Sequence, residues 1–338
     1  MINFLLRRLF LLGTVLFGLS LLAFSLGYLF PGDPLQNFSG IRQLEPQLRA
    51  ELTAAYRLDH SYLSQYLAFL NRLWHGDWGL SLASQQPLLS EIRQVLPATI
   101  ELTSYALLVS FLFGVPLGIL AAIKPEGYLG KIINTITVAG YSLPVFWWAL
   151  LLIMVFSVGL GWFPSGGRLG VLYEIPTVSG FMLVDIFLAE TPYQQAIFLD
   201  ALRHLALPTV VLATFPTTVM IRFVRDAMLE VWEQNYIKTA KAKGLSRLQV
   251  LYRHGLRNAL LPVIRQIGLQ FSALITLAML TEVIFSWPGI GRWLLDSIYQ
   301  RNFPAIQAGL MIISVLVITV NMLTEILHTF FNPLARKR

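Results

Sequence analysis

The chain has 338 residues, of which 56 % are hydrophobic and 13 % charged, with a mean hydropathy of +0.64. A soluble domain carries about 25 % charge, so this composition excludes an ordinary soluble enzyme and a disordered chain and leaves an integral membrane protein. In so apolar a chain the net charge of +7 marks loops held on the cytoplasmic side rather than a nucleic-acid surface. The lack of cysteine excludes disulfides, thiolate metal sites and cysteine nucleophiles.

A helix that crosses the hydrocarbon core needs about 20 apolar residues. Uncharged stretches of that order run over 9–32, 102–123, 132–167, 204–221, 266–281 and 302–324, which predicts six transmembrane helices in an all-α integral membrane fold. The fifth is short, but Arg265 and Glu282 flank it and can reach the interface. The first follows Arg7 and Arg8. It is too long for a secretory leader, and Pro31-Gly32-Asp33-Pro34 stands where a small-residue cleavage site would be, so it reads as an uncleaved anchor. Residues 175–188 are apolar but interrupted by Pro176 and Asp185, the pattern of an interfacial or re-entrant piece.

With the amino terminus inside, the inner segments hold 16 of the 25 Lys and Arg residues, including every lysine. The positive-inside rule then puts both termini in the cytoplasm. Trp147, Trp148, Trp162 and Trp287 fall near span ends as aromatic anchors. The expected organisation is an anchor helix (1–30), an outer segment (31–97), a five-helix domain (98–330) with a long inner loop (227–262), and a basic tail (331–338). In the outer segment Leu44, Leu48, Leu52 and Ala55, then Tyr62, Tyr66, Phe69, Leu70 and Leu73, recur at helical spacing and predict short amphipathic helices resting on the bundle. The last outer segment, 287–304, reads as turn-rich about Pro288-Gly289-Ile290-Gly291.

The inner loop is the most patterned part of the chain. Residues 230–243 are good helix formers without Gly or Pro, with lysines gathered in the last turn, where they suit the helix dipole. Gly244 fits the left-handed position past a helix end. Ser246 with Gln249 is a capping-box signature for a second helix reaching about Leu261, before Pro262. Ala240, Ala242 and Gly244 line the bend with small residues that let another backbone come close. A docking knob for a cytoplasmic partner and a solvated basic loop near anionic lipid both fit this chemistry.

Tyr236-Ile237-Lys238-Thr239-Ala240-Lys241-Ala242-Lys243-Gly244-Leu245 resembles the EAA loop of ABC-importer permeases, in the version found in the dipeptide, oligopeptide and nickel permeases. Lys238 replaces the acidic residue of the general pattern. Further marks of that family are Gly76-Asp77-Trp78-Gly79, Leu96-Pro97-Ala98-Thr99-Ile100-Glu101-Leu102, Ser142-Leu143-Pro144-Val145-Phe146-Trp147, Arg257-Asn258-Ala259-Leu260-Leu261-Pro262 and Glu282-Val283-Ile284-Phe285-Ser286-Trp287-Pro288-Gly289-Ile290-Gly291. Within the family the chain is most similar to the branch named for sensitivity to antimicrobial peptides. That likeness rests on 275–282, Leu172-Tyr173-Glu174, Ser179-Gly180-Phe181 and Phe331-Asn332-Pro333-Leu334.

The resemblance implies a type I ABC-importer permease fold and a non-enzymatic subunit that moves peptides, antimicrobial ones among them, across the bacterial inner membrane. Putrescine or other polyamine export, and dipeptide, nickel or haem uptake, are the alternatives on the same architecture. It implies a homologous second permease, two cytoplasmic ABC ATPase subunits and a periplasmic substrate-binding protein as partners. ATP and Mg would be bound by the ATPases and no cofactor by this chain, which has no G-x-x-x-x-G-K-[ST] loop; Gly130-Lys131 lacks the spacing and the hydroxyl. Tyr236, Thr239, Ala240, Lys241, Ala242, Lys243, Gly244 and Leu245 would form the ATPase-coupling site.

Other groups have structural readings. Glu101, Glu282 and Glu325 sit near predicted span ends, where interfacial or paired carboxylates are common. Arg222 and Asp226 are spaced to pair within one helix. His254 reads as a surface residue, and the five histidines show no metal-ligand spacing. Tyr141, Phe146, Trp147 and Trp148 read as packing or lipid contacts ahead of pathway residues. Inverted repeats and mid-span charges of a secondary transporter are not evident in the sequence.

Overall fold

A computed structural model of the chain describes residues 2–43, 45–189 and 191–331. The basic tail 332–338 and Leu44 lie outside the described residues, as do the side chains of Lys241, His254, Arg257, Asn258, Leu261 and Pro262. The described residues form helices joined by loops, α1 (Ile2–Leu29), α2 (Pro34–Ser39), α3 (Pro46–Tyr56), α4 (Tyr62–Trp74), α5 (Leu88–Ile123), α6 (Tyr128–Ser142) and α7 (Val145–Leu152), the last continuing as a wide π-turn over Ile153–Gly159. Then come α8 (Met182–Leu188), α9 (Gln194–Glu233), α10 (Asn235–Ala242), α11 (Arg247–Val250), a π-helical turn Leu251–Gly255, α12 (Leu256–Ala259), α13 (Leu261–Ile284), α14 (Ile290–Tyr299) and α15 (Phe303–Phe331). Helices α1, α5, α9, α13 and α15 are each long and apolar enough to cross a membrane.

The third predicted span departs from a straight rod. α6 and α7 meet at an angle of 104° across Leu143 and Pro144, so this apolar stretch is a bent pair, giving six spans when the pair counts as one. Leu143 is extended, and Pro144 disfavours helix at the residue before it and has no N–H to carry the ladder on. Two helices run well past their apolar cores: α5 begins at Leu88 rather than at 102, and α9 occupies 40 residues rather than 204–221. The segment expected to be turn-rich holds the amphipathic helix α14, with Gly289 at its N-cap.

The chain divides into two compact units. The first comprises Met1–Thr99, Pro176–Leu188 and Pro288–Ile318. Here Asp33 caps α2 by accepting from the Leu35 N–H at 3.0 Å, ahead of Pro34 at the first helical position, and pairs with Arg49 at 2.8 Å. Phe24, Leu35, Phe38, Tyr56 and Tyr66 form an aromatic-rich core that joins α1 to α2, α3 and α4. Bonds between residues far apart in sequence tie the rest: Thr99 Oγ1 accepts from the Ile290 N–H at 2.8 Å, and Trp293 Nε1 donates to Glu91 at 2.8 Å. Asn302 accepts from the Leu82 N–H at 2.9 Å and donates to Ser81 Oγ at 2.8 Å.

Asp185, which reads in the sequence as a break in an apolar run, is buried in α8 and accepts from Ser179 N–H at 2.7 Å, Ser179 Oγ at 2.6 Å and Gly180 N–H at 2.9 Å. Burial pushes its carboxyl up, the hydrogen bonds from Ser179, Gly180 and Val178 pull it down, and the net result lies below the ordinary 3.8. A lowered folded value means that the ionised form adds stability above the ordinary range, lost as pH falls through the lowered value. Asp185→Asn leaves one of these donors without an acceptor and is expected to cost about 1–3 kcal/mol. Limited proteolysis at neutral pH should cut the variant faster within 176–188, and the difference should vanish in strong acid; equal cutting at neutral pH would sink the assignment.

The second unit comprises Ile100–Ile175, Ala189–Trp287 and Thr319–Arg338. Gly114 and Gly118 sit one turn apart on α5 and let α9 approach: a Cβ on Gly114 would stand 2.7 Å from Met220 Cβ, and one on Gly118 2.8 Å from the Ile221 carbonyl. This is the small-residue spacing used where membrane helices pack without a hydrophobic drive between them. Asn321 on α15 donates to Ser272 Oγ on α13 at 2.8 Å.

Candidate coupling site

The helix expected over 230–243 is interrupted. α9 ends at Glu233, and Gln234 takes an extended conformation with its N–H on the Val231 carbonyl. α10 then turns Ile237 and Ala240 inward, where with Val250 they form a small core against Val231, Trp232 and Leu245. Its opposite face carries Tyr236, Lys238, Thr239, Ala242 and Lys243 to the exterior. Thr239 Oγ1 donates to the Asn235 carbonyl at 3.0 Å within the helix.

The bend after α10 is a Schellman turn. Gly244 has φ +81°, and the Leu245 N–H reaches back to the Ala240 carbonyl at 3.4 Å while its side chain joins Ala240 in the same core. The next helix starts with both arms of a capping box: the Gln249 N–H donates to Ser246 Oγ at 3.3 Å, and the Ser246 N–H to Gln249 Oε1 at 2.9 Å. No other atom lies within 4 Å of where a Gly244 Cβ would stand, so the apex is open.

Of the residues read as the coupling site, the structure therefore sends Tyr236, Thr239, Ala242, Lys243 and Gly244 outward and holds Ala240 and Leu245 as the internal brace. The return limb packs on α9 and α5: Met220, Val224 and Met228 meet Leu251, Ala259, Val263 and Ala122 in one core. The return limb is thus continuous with a packed core on two long helices.

The charges near the spans resolve individually. Glu101 is buried inside α5, not at a helix end, and pairs with Arg168, whose guanidinium also lies 5.5 Å over the Trp287 ring. Trp287 is consequently a core residue and not an interfacial anchor. Glu282 is fully buried and engaged, while Glu325 is half-buried in α15. The pairing expected between Arg222 and Asp226 does not form: Asp226 meets Arg225 at 3.5 Å, and Arg222 lies 5.7 Å over the Tyr141 ring. An aromatic face one helix away competes successfully with an exposed pair that is worth little in water. Trp148 is half-buried and its Nε1 donates to Thr214 at 3.1 Å, whereas Tyr141, Phe146 and Trp147 are exposed, Tyr141 with its ring stacked on Phe215. No cluster of possible metal ligands occurs among the described residues.

Sequence reading missed Arg168, Gly114 and Gly118. The glycine pair was visible as G-x-x-x-G; Arg168 had no signal beyond being a lone cation in an apolar stretch.

Residues 114–337 match the binding-protein-dependent transport system inner membrane component, and residues 1–103 match the amino-terminal region of the same kind of membrane component. The chain belongs to this permease family. It is 46 % identical over 336 residues to the di/tripeptide transport system permease DppB of Pseudomonas aeruginosa, covering 99 % of each chain. It is 42 % identical to the putrescine export system permease SapB of Escherichia coli K12, over all of this chain and 98 % of that one. The dipeptide permease DppB of E. coli K12 matches at 39 % over the full length of both. The similarity therefore extends to both the Dpp and the Sap branches. Among solved structures the permease shares its fold with a chain of the MetNI methionine ABC transporter, at a TM-score of 0.53 and 16 % identity over 70 % of this chain and 93 % of that one. The permease is thus a multi-pass, non-enzymatic subunit of an ABC transporter in the inner membrane, with an importer-type fold.

Proposed function

We propose that this permease moves peptides, with both termini and the α10 elbow in the cytoplasm. The observation that carries the cargo is full-length similarity at 39–46 % to permeases named for di/tripeptide and dipeptide transport. Antimicrobial peptides are the narrower cargo that the sequence resemblance implies, and the peptide transport permease SapB of Salmonella typhimurium, at 41 % identity, supports peptide as the class. The elbow seats on one of two ATPase subunits, which hold ATP and Mg. A second permease completes the pathway, and a substrate-binding protein delivers cargo outside. The concentration of basic residues in the inner segments supports the orientation. Closure of the ATPase pair pushes the elbow, and α9 and α13 rock with it to alternate access.

One test compares labelled dipeptide, a cationic peptide and putrescine in vesicles that hold the assembled transporter. ATP-dependent peptide uptake is the expected result. Movement of putrescine alone, outward, would replace this reading with the export named for the E. coli K12 relative.

A further inference from the structure

The outer segment does not simply rest above the membrane, because part of it runs down the side of α1. Tyr66 of α4 meets Ser20 of α1 hydroxyl to hydroxyl at 2.7 Å, and its ring lies 6.1 Å from Phe17 and 5.5 Å from Phe24. Tyr62, one turn earlier, meets Tyr28 at 5.7 Å. Helix rise converts these contacts into depth. The apolar run of α1, Phe10–Leu29, begins just after Arg7 and Arg8, a pair that belongs at a polar boundary. Its 20 residues span about 30 Å, one hydrocarbon thickness. Ser20 precedes the end of that run by nine residues, so it lies about 13 Å below it, close to mid-bilayer. A tyrosine that touches both Ser20 and Phe17 draws its own helix beneath the headgroups.

The outward face of α4 suits that position. Leu63, Leu67 and Trp74 share one stripe and are 68 %, 55 % and 89 % exposed, with the exposed amide of Asn71 between the last two. No charge occurs from Tyr62 to Asn71; the first, Arg72, is turned away onto the Tyr56 ring at 3.5 Å and pairs with Asp77. Tyr62 and Trp74, rings with an apolar body and a polar tip, stand at the two ends of the helix, the residue type that interfaces favour.

We propose that α4 is an interfacial helix buried in the leaflet at the carboxyl-terminal end of α1, with Leu63, Leu67 and Trp74 among the acyl chains. Lipid is the one occupant: the stripe continues, at the same depth, the lipid-length run of α1, and its leucines offer only apolar surface. The inference rests on the membrane-spanning helices and holds whatever the cargo is.

The cysteine-free chain allows a direct test. Leu63→Cys and Leu67→Cys, with Asp59→Cys as the water reference and Val15→Cys on α1 as the lipid reference, are spin-labelled in the full chain, assembled with its partner subunits in phospholipid vesicles. Collisions with oxygen, which concentrates in lipid, are compared with collisions with a water-soluble nickel chelate. The oxygen-to-nickel ratio at 63 and 67 should be several-fold above that at 59 and near that at 15. Nickel access equal to that at 59 places the stripe in water, and low access to both probes places it under another protein; either overturns the proposal. A label-free measurement guards against perturbation. Brominated lipids should quench the wild-type emission more than that of Trp74→Phe, and equal quenching counts against the proposal.

Discussion

Gly244→Glu is expected to abolish transport and substrate-stimulated ATP hydrolysis while the permease still inserts and folds. The glycine holds φ +81° at the turn after α10, a conformation that costs an L-residue about 1–2 kcal/mol. Nothing crowds the site, so the internal penalty ends there. Gly244→Ala should accordingly keep most activity. The glutamate differs because it places a carboxylate at the exposed apex of the elbow. If the apex is covered by an ATPase groove, that unpaired charge costs about 3–5 kcal/mol on docking, a loss of more than about a hundredfold in affinity. Co-purification of the ATPases and peptide-dependent hydrolysis in vesicles would read the effect. Wild-type coupling in Gly244→Glu would remove the elbow from the mechanism.

Arg168→Met is expected to be the most damaging single change to stability. The guanidinium is the ion-pair partner of Glu101 and lies over the fully buried Trp287. Removing one member of a buried pair costs about 3–5 kcal/mol, because the remaining charge stays desolvated. The double variant Glu101→Met with Arg168→Met should recover much of that loss, since an apolar pair of similar volume needs no compensation. Thermal unfolding of the purified permease, followed by size-exclusion recovery, distinguishes the two. A single variant that survives heating as well as the wild type would mean that the pair contributes nothing. A double variant as unstable as the single one would mean that Arg168 acts through Trp287 alone.

Local chemistry was legible in the sequence where a few adjacent residues decide the outcome. Gly244, Ser246 and Gln249 form the turn and the capping box that their identities predict. Apolar run length was equally legible, since hydrocarbon thickness sets it. What escaped depends on partners distant in sequence. The polar turns of α5 before 102 and of α9 beyond 221 look like loop, yet both belong to continuous helices, α9 gaining a packed face on Leu251, Ala259 and Val263. Arg222 turned to Tyr141 rather than to Asp226 for the same reason. The interruption at Gln234 has no Gly or Pro to announce it; it places Ile237 and Ala240 against Val250, which only the folded elbow brings near.

The bend between α6 and α7 has a consequence for where water goes. A helix that stops inside hydrocarbon leaves its last carbonyls and the next helix's first N–H groups without partners, and lipid offers none. Ser142 Oγ donates to the Val138 carbonyl and the Trp148 N–H to the Pro144 carbonyl, bonds that belong to the two helices themselves rather than to the break. If the bend lies within the hydrocarbon, the exposed chain around Tyr141 and Ser142 borders polypeptide or a hydrated passage rather than lipid.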